Sequence, residues 1–318
     1  MQFLTFALLI DLNMKKLSIL LSAVAITAMV FSGCKKTAKN DGETAWFEPE
    51  NKQRSLMLDF TATWCTYCGS WGHPTFNAAE TSAGDAALPF AIQGSSSELS
   101  AIQYKPNNDT PYYARHLSDF SNNLNGITVG GYPTLCVNNK SGYGSGSQAT
   151  MVNDINAFNA KAPVANINFG ITKNANGFTA KTTTKFFQAT SGEFFITMFI
   201  TQNNIIHQQN VAGTYVPNYT HNNIIRAWPI SNAKETTGTI AGLNKTFGDA
   251  IISGDIASGK FVNKELTFYT DNKMTMIPST FDILTWNQNN TANLYVTALI
   301  WKKENGKYTF VNGVRKPL

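Results

Sequence analysis

Charge is scarce in this chain. Only 14% of its 318 residues are Asp, Glu, Lys or Arg, against roughly 25% in ordinary soluble domains. Asn, Thr, Ser and Gln supply the polar surface instead. The formal net charge of +5 is spread along the chain without a basic cluster, so the footprint of a nucleic-acid binder is missing. There is no fixed-period repeat, which excludes a solenoid or propeller. Histidine occurs only four times, and His116, His207 and His221 show no ligand spacing. Cysteine also occurs four times, too few for a disulfide scaffold in a chain this long. The one long apolar run, Leu17 to Phe31, falls short of the roughly 20 residues of a membrane-spanning helix.

What is present begins with that run. Met14-Lys15-Lys16 supplies a basic start, the apolar run follows, and Phe-Ser-Gly-Cys ends at Cys34. The order of basic, apolar and small-residue segments is that of a secretory signal peptide, here residues 1–33 with Met14 as the expected start. Phe31 to Cys34 resembles a bacterial lipobox, which implies lipidation of Cys34. Residues 34–50 then form a polar tether. Lys35 stands where an Asp would favour inner-membrane retention, so the expected location is the outer membrane of a cell envelope. Disulfides persist in such an oxidising compartment. With Cys34 taken by lipid, Cys65, Cys68 and Cys136 remain.

The texture changes midway. Residues 51–162 alternate strand and helix signals. "SLMLDFTA", "ALPFAIQ" and "PTLCVNN" read as strands. "CGSWGHPTFNAAETSA", "TPYYARHLSDFSNNLN" and "QATMVNDINAFNAKA" read as helices, and "SGYGSGS" as a flexible turn. This order predicts an α/β layer fold. Residues 163–318 show period-two alternation instead, with Asn305-Gly306 as a hairpin signal. That half predicts an antiparallel β-sandwich.

"LDFTATWCTYCGSW", Leu58 to Trp71, places Cys65 and Cys68 between an apolar strand and a helix. Zinc needs four ligands, commonly two cysteine pairs, and there is no second pair. A short structural disulfide and a redox dithiol remain. A redox thiol must be a stabilised thiolate, and the start of a helix supplies that stabilisation through unpaired amides and the helix dipole. His73 reads as an exposed helix histidine near the thiols, and Cys136 as a small buried residue on a central strand.

This segment resembles the active site of the thioredoxin superfamily. The match covers the apolar strand, an acidic residue six positions before the first cysteine, a Trp beside it, and the two-residue spacer. The resemblance implies Cys65 as nucleophile, Cys68 as resolving thiol and Asp59 as the buried carboxylate that helps deprotonate Cys68. Trp64, Thr66, Tyr67 and Tyr132 would then line the substrate site. "VGGYPTLCVNN" matches the family's cis-proline segment at Pro133. Pro74 falls one residue later than the family's helix-kinking proline, which implies a bulge in the first helix. The lipobox, the Trp-Cys-Thr-Tyr-Cys half and a β-sandwich half together resemble the Omp28-related outer-membrane lipoproteins of Bacteroidetes.

The expectation is an envelope-anchored thiol–disulfide oxidoreductase acting on protein disulfides. It is tethered through Cys34 and needs neither cofactor nor metal. The rival is a surface binding module, or adhesin, in which the thioredoxin-like half is a scaffold and the disulfide is static.

Overall fold

The computed structural model describes residues 44–94, 97, 119–174, 177–227, 246–269 and 293–318. The signal run, Cys34, and the Thr110–Leu117 part of the second predicted helix lie outside them.

The apolar run at the start becomes β1 (Ser55–Thr61), in which all seven residues are buried. A strand covered on both faces has no polar side to alternate with, so it reads as a continuous apolar stretch. β2 (Ala87–Gln93) is likewise buried throughout and pairs with β1 in parallel, Leu58 opposite Phe90. β3 (Thr134–Val137) lies antiparallel on the other side of β1, Asp59 opposite Leu135. The chain then turns at Asn138, whose φ is 51°, into β4 (Lys140–Tyr143). The "SGYGSGS" segment is therefore strand in its first part. Asn tolerates the left-handed conformation, so the chain reverses before the glycines are reached.

Two helices cover one face of these strands. α1 (His73–Ala83) follows a π-helical turn at Cys68–Gly72. α2 (Gln148–Asn159) buries Met151 and Ile155. They enclose a core with Met57, Phe76, Leu135 and Val137.

From Ala165 onward the described elements are strands. These are β5 (Ala165–Asn174), β6 (Gly177–Phe186), β7 (Thr190–Ser191), β8 (Glu193–Gln202), β9 (Ile205–Val211) and β10 (Thr214–His221). β11 (Ile224–Ala227), β12 (Asp249–Ile252), β13 (Asp255–Ile256), β14 (Phe261–Tyr269), β15 (Leu294–Glu304) and β16 (Lys307–Pro317) follow. The β15–β16 turn is Asn305-Gly306, with φ of 52° and 76°, the pair of positive values a type I′ hairpin requires.

The principal sheet is mixed and runs β16-β15-β8-β11-β2-β1-β3-β4, with β12 also on β8. It therefore contains strands from both halves of the chain. The sandwich is present in part: the sheet β14-β6-β5 packs on β8, β15 and β16 through Ile167, Phe169, Phe194, Met198, Val296 and Ile300. Its larger layer, however, is continuous with the sheet that holds β1. The core under that shared sheet joins Leu58, Phe60 and Phe90 to Phe199, Trp301 and Phe310. A β-rich mixed sheet backed by two helices and a second small sheet is thus the architecture. The β9–β10 hairpin stands outside both sheets, as a two-stranded ribbon of its own.

Candidate active site around the Cys65–Cys68 disulfide

β1 delivers the chain to Ala62, and the helical stretch begins at Thr66. Cys65 sits between them in the N-cap position. It forms a disulfide with Cys68, Cα atoms 5.3 Å apart. The Cys68 backbone N–H donates to Cys65 Sγ at 3.1 Å. This is the hydrogen bond that an N-cap side chain accepts from the third helical residue. A Cys65 thiolate would receive the same bond and the favourable end of the helix dipole. Cys65 is 5% exposed and Cys68 fully buried.

The π-turn follows at once. The N–H of His73 donates to the carbonyl of Cys68, five residues back. A π-turn adds one residue to the helix, and Pro74 comes just after it, in the first turn of α1 where a missing N–H costs nothing. The extra residue also turns His73 onto the Cys68 side of the helix. His73 is therefore buried at 7% exposure, and the reading of an exposed histidine is corrected. Counting at 3.6 residues per turn points it to solvent; the i to i+5 bond does not.

Asp59, in the middle of β1, is 1% exposed. Its Oδ1 has no hydrogen-bond partner and its Oδ2 lies 3.6 Å from His73 Nε2. Desolvation by burial pushes the Asp59 carboxyl up to about 8. His73 Nε2 is 2.7 Å from Thr61 Oγ1. Burial, and then His221, hold His73 down to about 3.

The rim is aromatic. Trp64 and Tyr67 are exposed, and the Trp64 ring meets Tyr132 edge-on at 5.7 Å. Tyr132 packs on Ala62, Cys65 and Cys68, and the Tyr132–Pro133 bond is cis. A Cβ on Gly72 would come within 2.8 Å of the Pro133 ring, so glycine is what lets the π-turn close on Pro133.

The β9–β10 hairpin covers the other side. Asn210 N–H donates to Thr63 O at 2.8 Å and Ala212 N–H to Thr66 O at 3.4 Å. The fully buried Gln209 donates through Nε2 to Ala62 O at 3.2 Å and Cys65 O at 3.1 Å. A Cβ on Gly69 would overlap the Asn210 carbonyl oxygen. The hairpin's inner face carries His207 and His221, both buried, and Tyr219.

These features are enough to look for kin. The fold is shared with HBP35 of Porphyromonas gingivalis. That solved structure matches at a TM-score of 0.60 and 18% identity, over 85% of this chain and 77% of that one. A protein of Agrobacterium tumefaciens gives a looser match, with a TM-score of 0.45 and 9% identity over 84% and 95%. No family model matches the chain, and no curated protein does.

The structure thus brings Asp59, Trp64, Cys65, Thr66, Tyr67, Cys68, Tyr132 and Pro133 to one end of β1 and β3. Cys34 lies outside the described residues. Cys136 is free and fully buried on β3; desolvation, then the neighbouring Asp59, push its thiol up, so it is held as the inert thiol. Among the described residues no cluster of metal-ligating side chains has the spacing of a metal site. Sequence reasoning missed Gln209, His207, Tyr219 and His221. Their signal was faint: Pro217 in "TYVPNYTH" argues against a strand, and here it falls in a bulge between Val216 and Tyr219.

A second cavity, of about 590 Å³, is lined among others by Arg54, Glu80, Asn203, Asn222, Tyr295 and Arg315. None of the dithiol residues lines it. Arg315 lies over the Tyr295 ring at 4.2 Å and its Nη1 is 3.7 Å from Glu80, so its cation is already engaged.

Proposed function

We propose that the protein exchanges disulfides with other proteins through Cys65 and Cys68, on a thioredoxin-like arrangement. The observation that carries this reading is the placement of Cys65. It caps a helix start, accepts the Cys68 amide, and stands over a buried carboxylate that has no cation beside it. In the reduced state a Cys65 thiolate attacks the partner disulfide and forms a mixed disulfide. Cys68 then attacks Cys65 Sγ and expels the partner thiol. Asp59 takes the proton of Cys68, because a carboxyl with raised proton affinity is matched to a thiol near neutral pH. Trp64, Thr66, Tyr67, Tyr132 and Pro133 form the wall against which the partner peptide lies.

The location completes the proposal: a lipid on Cys34 tethers the protein to the outer membrane of a cell envelope. A relationship to the Omp28-related lipoproteins of Bacteroidetes is in keeping with the shared fold of the P. gingivalis protein.

One observation favours the rival reading of a binding module with a static disulfide. The pair is almost wholly buried and the Gln209 side chain ties down its loop. Equilibration of the full chain in glutathione buffers separates the two. A reduction potential between about −270 and −120 mV, the range of working oxidoreductases, is expected. A pair that stays oxidised until the protein unfolds would leave the binding module.

A further inference from the structure

A base that deprotonates Cys68 must itself be ionised at that moment. Asp59 is poorly prepared for this. Among the described residues its sole ion-pair partner within 4 Å is His73. The other groups facing the two are few. Thr61 lies on the same strand and bonds His73. Cys136 on β3 feels the Asp59 charge, as does Tyr219 on β10. The His221 ring is 5.6 Å from that of His73, edge-on, and the Tyr219 ring 5.5 Å from it. The His207 ring on β9 is 6.4 Å from that of His221. Glu80, further along α1, is turned to Asn223 and Arg315 instead. A dry carboxyl with no fixed cation keeps its proton, and burial holds Asp59 up to about 8. Left alone it would accept nothing from Cys68 at neutral pH.

We propose that His73 is a positioning residue of the exchange reaction: it takes the Asp59 proton across the 3.6 Å gap and so frees the carboxylate to receive the proton of Cys68. The proposal rests on the thiol–disulfide reading above. The gap is longer than a hydrogen bond, and closing it takes a shift of about half an ångström. Two buried neutral groups then become a carboxylate and an imidazolium, each offsetting the other's desolvation. The π-turn is what makes the pairing possible, since it turns His73 to the Asp59 side.

The balance closes over one turnover. At the start Cys65 is bonded to the partner sulfur, Cys68 is a thiol, Asp59 is protonated and His73 is neutral. The proton passes from Asp59 to His73 and the Cys68 proton passes to Asp59. Cys68 sulfur bonds to Cys65 sulfur with its electron pair, and the Cys65–partner bond breaks with its pair on the partner sulfur. The partner thiolate is protonated and the His73 imidazolium loses its proton, through solvent. The net change is a Cys65–Cys68 disulfide and a free partner thiol, with Asp59 and His73 restored.

The test is His73→Gln in the full chain, reduced and mixed with glutathione disulfide, with rapid acid quench and mass analysis at each pH. Attack by Cys65 and closure by Cys68 appear as separate phases. Closure at pH 7 is expected to slow about tenfold or more, by the scale of proton-transfer catalysis. The first phase should stay within about twofold, and closure should recover as pH rises past the Asp59 range. Unchanged closure with an unchanged pH midpoint would overturn the proposal. A wild-type protein that never forms or closes the mixed disulfide would instead overturn the thiol–disulfide reading. Should His73→Gln fail to fold, nitrogen NMR of the wild-type histidines decides. A His73 ring signal whose titration moves on Asp59→Asn supports the pairing, and one indifferent to that substitution overturns it.

Discussion

Asp59 spends stability for chemistry. Its folded proton affinity is raised by desolvation, to about 8 from the usual 3.8. The sign follows from proton counting. Below about pH 4 the carboxyl is protonated in both folded and unfolded chains, and it costs nothing. Between about pH 4 and 8 the unfolded chain ionises while the folded one does not, so stability falls as pH rises. Asp59→Asn removes that dependence. The variant and the wild type are expected to melt alike near pH 3.5. The variant should gain about 1.4 kcal/mol per pH unit from there toward pH 8. Thermal melts across pH read this directly, and a constant difference at all pH values would mean that Asp59 ionises freely in the folded protein. His73 and His221 act with the opposite sign. Burial lowers both, to about 3 and 4. They favour the folded state above about pH 6.5 and lose that contribution as pH falls through their folded values.

At the scale of elements, the π-turn and the β9–β10 hairpin build the site between them. The turn brings His73 round to Asp59; the hairpin lays His207, Gln209, Tyr219 and His221 over the same spot and dries it. Their close approach depends on Gly69, where any side chain meets the Asn210 backbone. Gly69→Ala is expected to lift the hairpin and cost about 1–3 kcal/mol, the usual range for overpacking. Faster hydrogen exchange at the Asn210 amide, whose partner is Thr63 O, would report the lifting along with the lower melting temperature. An unchanged exchange rate would show that the hairpin does not depend on this contact.

On the scale of the whole molecule, the shared sheet couples the halves. β2 lies between β1 and β11, and β8 and β15 continue the same sheet. The core beneath joins Leu56, Leu58 and Phe90 of the first half to Phe199, Leu299 and Trp301 of the second. A fragment ending at residue 162 would leave that face of β1 and β2 uncovered. Such a fragment is expected to show no cooperative melt by circular dichroism, whereas residues 44–318 should melt cooperatively. A fragment that melts cooperatively by itself would establish 162/163 as a true domain border.

Local chemistry made several elements readable in advance. The buried strands at 55–61 and 87–93 are apolar runs, α2 carries its apolar residues at helical spacing, and Asn305-Gly306 demands a hairpin. The dithiol, with Asp59 six residues earlier, was readable for the same reason, because its parts lie within one short stretch. The fate of His73 was not, since a π-turn is one backbone hydrogen bond that no residue spelling announces. Nor was the company of His207, Gln209 and His221, which reach the dithiol from about 140 residues away along the chain. Period-two alternation states that a segment is a strand with one buried face; it does not state what that face is buried against. The sequence by itself thus determined the strands, the turns and the redox-type pair. Only the tertiary structure decided that one sheet crosses both halves and that a distant hairpin closes over the carboxylate, because pairing and burial are properties of two segments together and of neither alone.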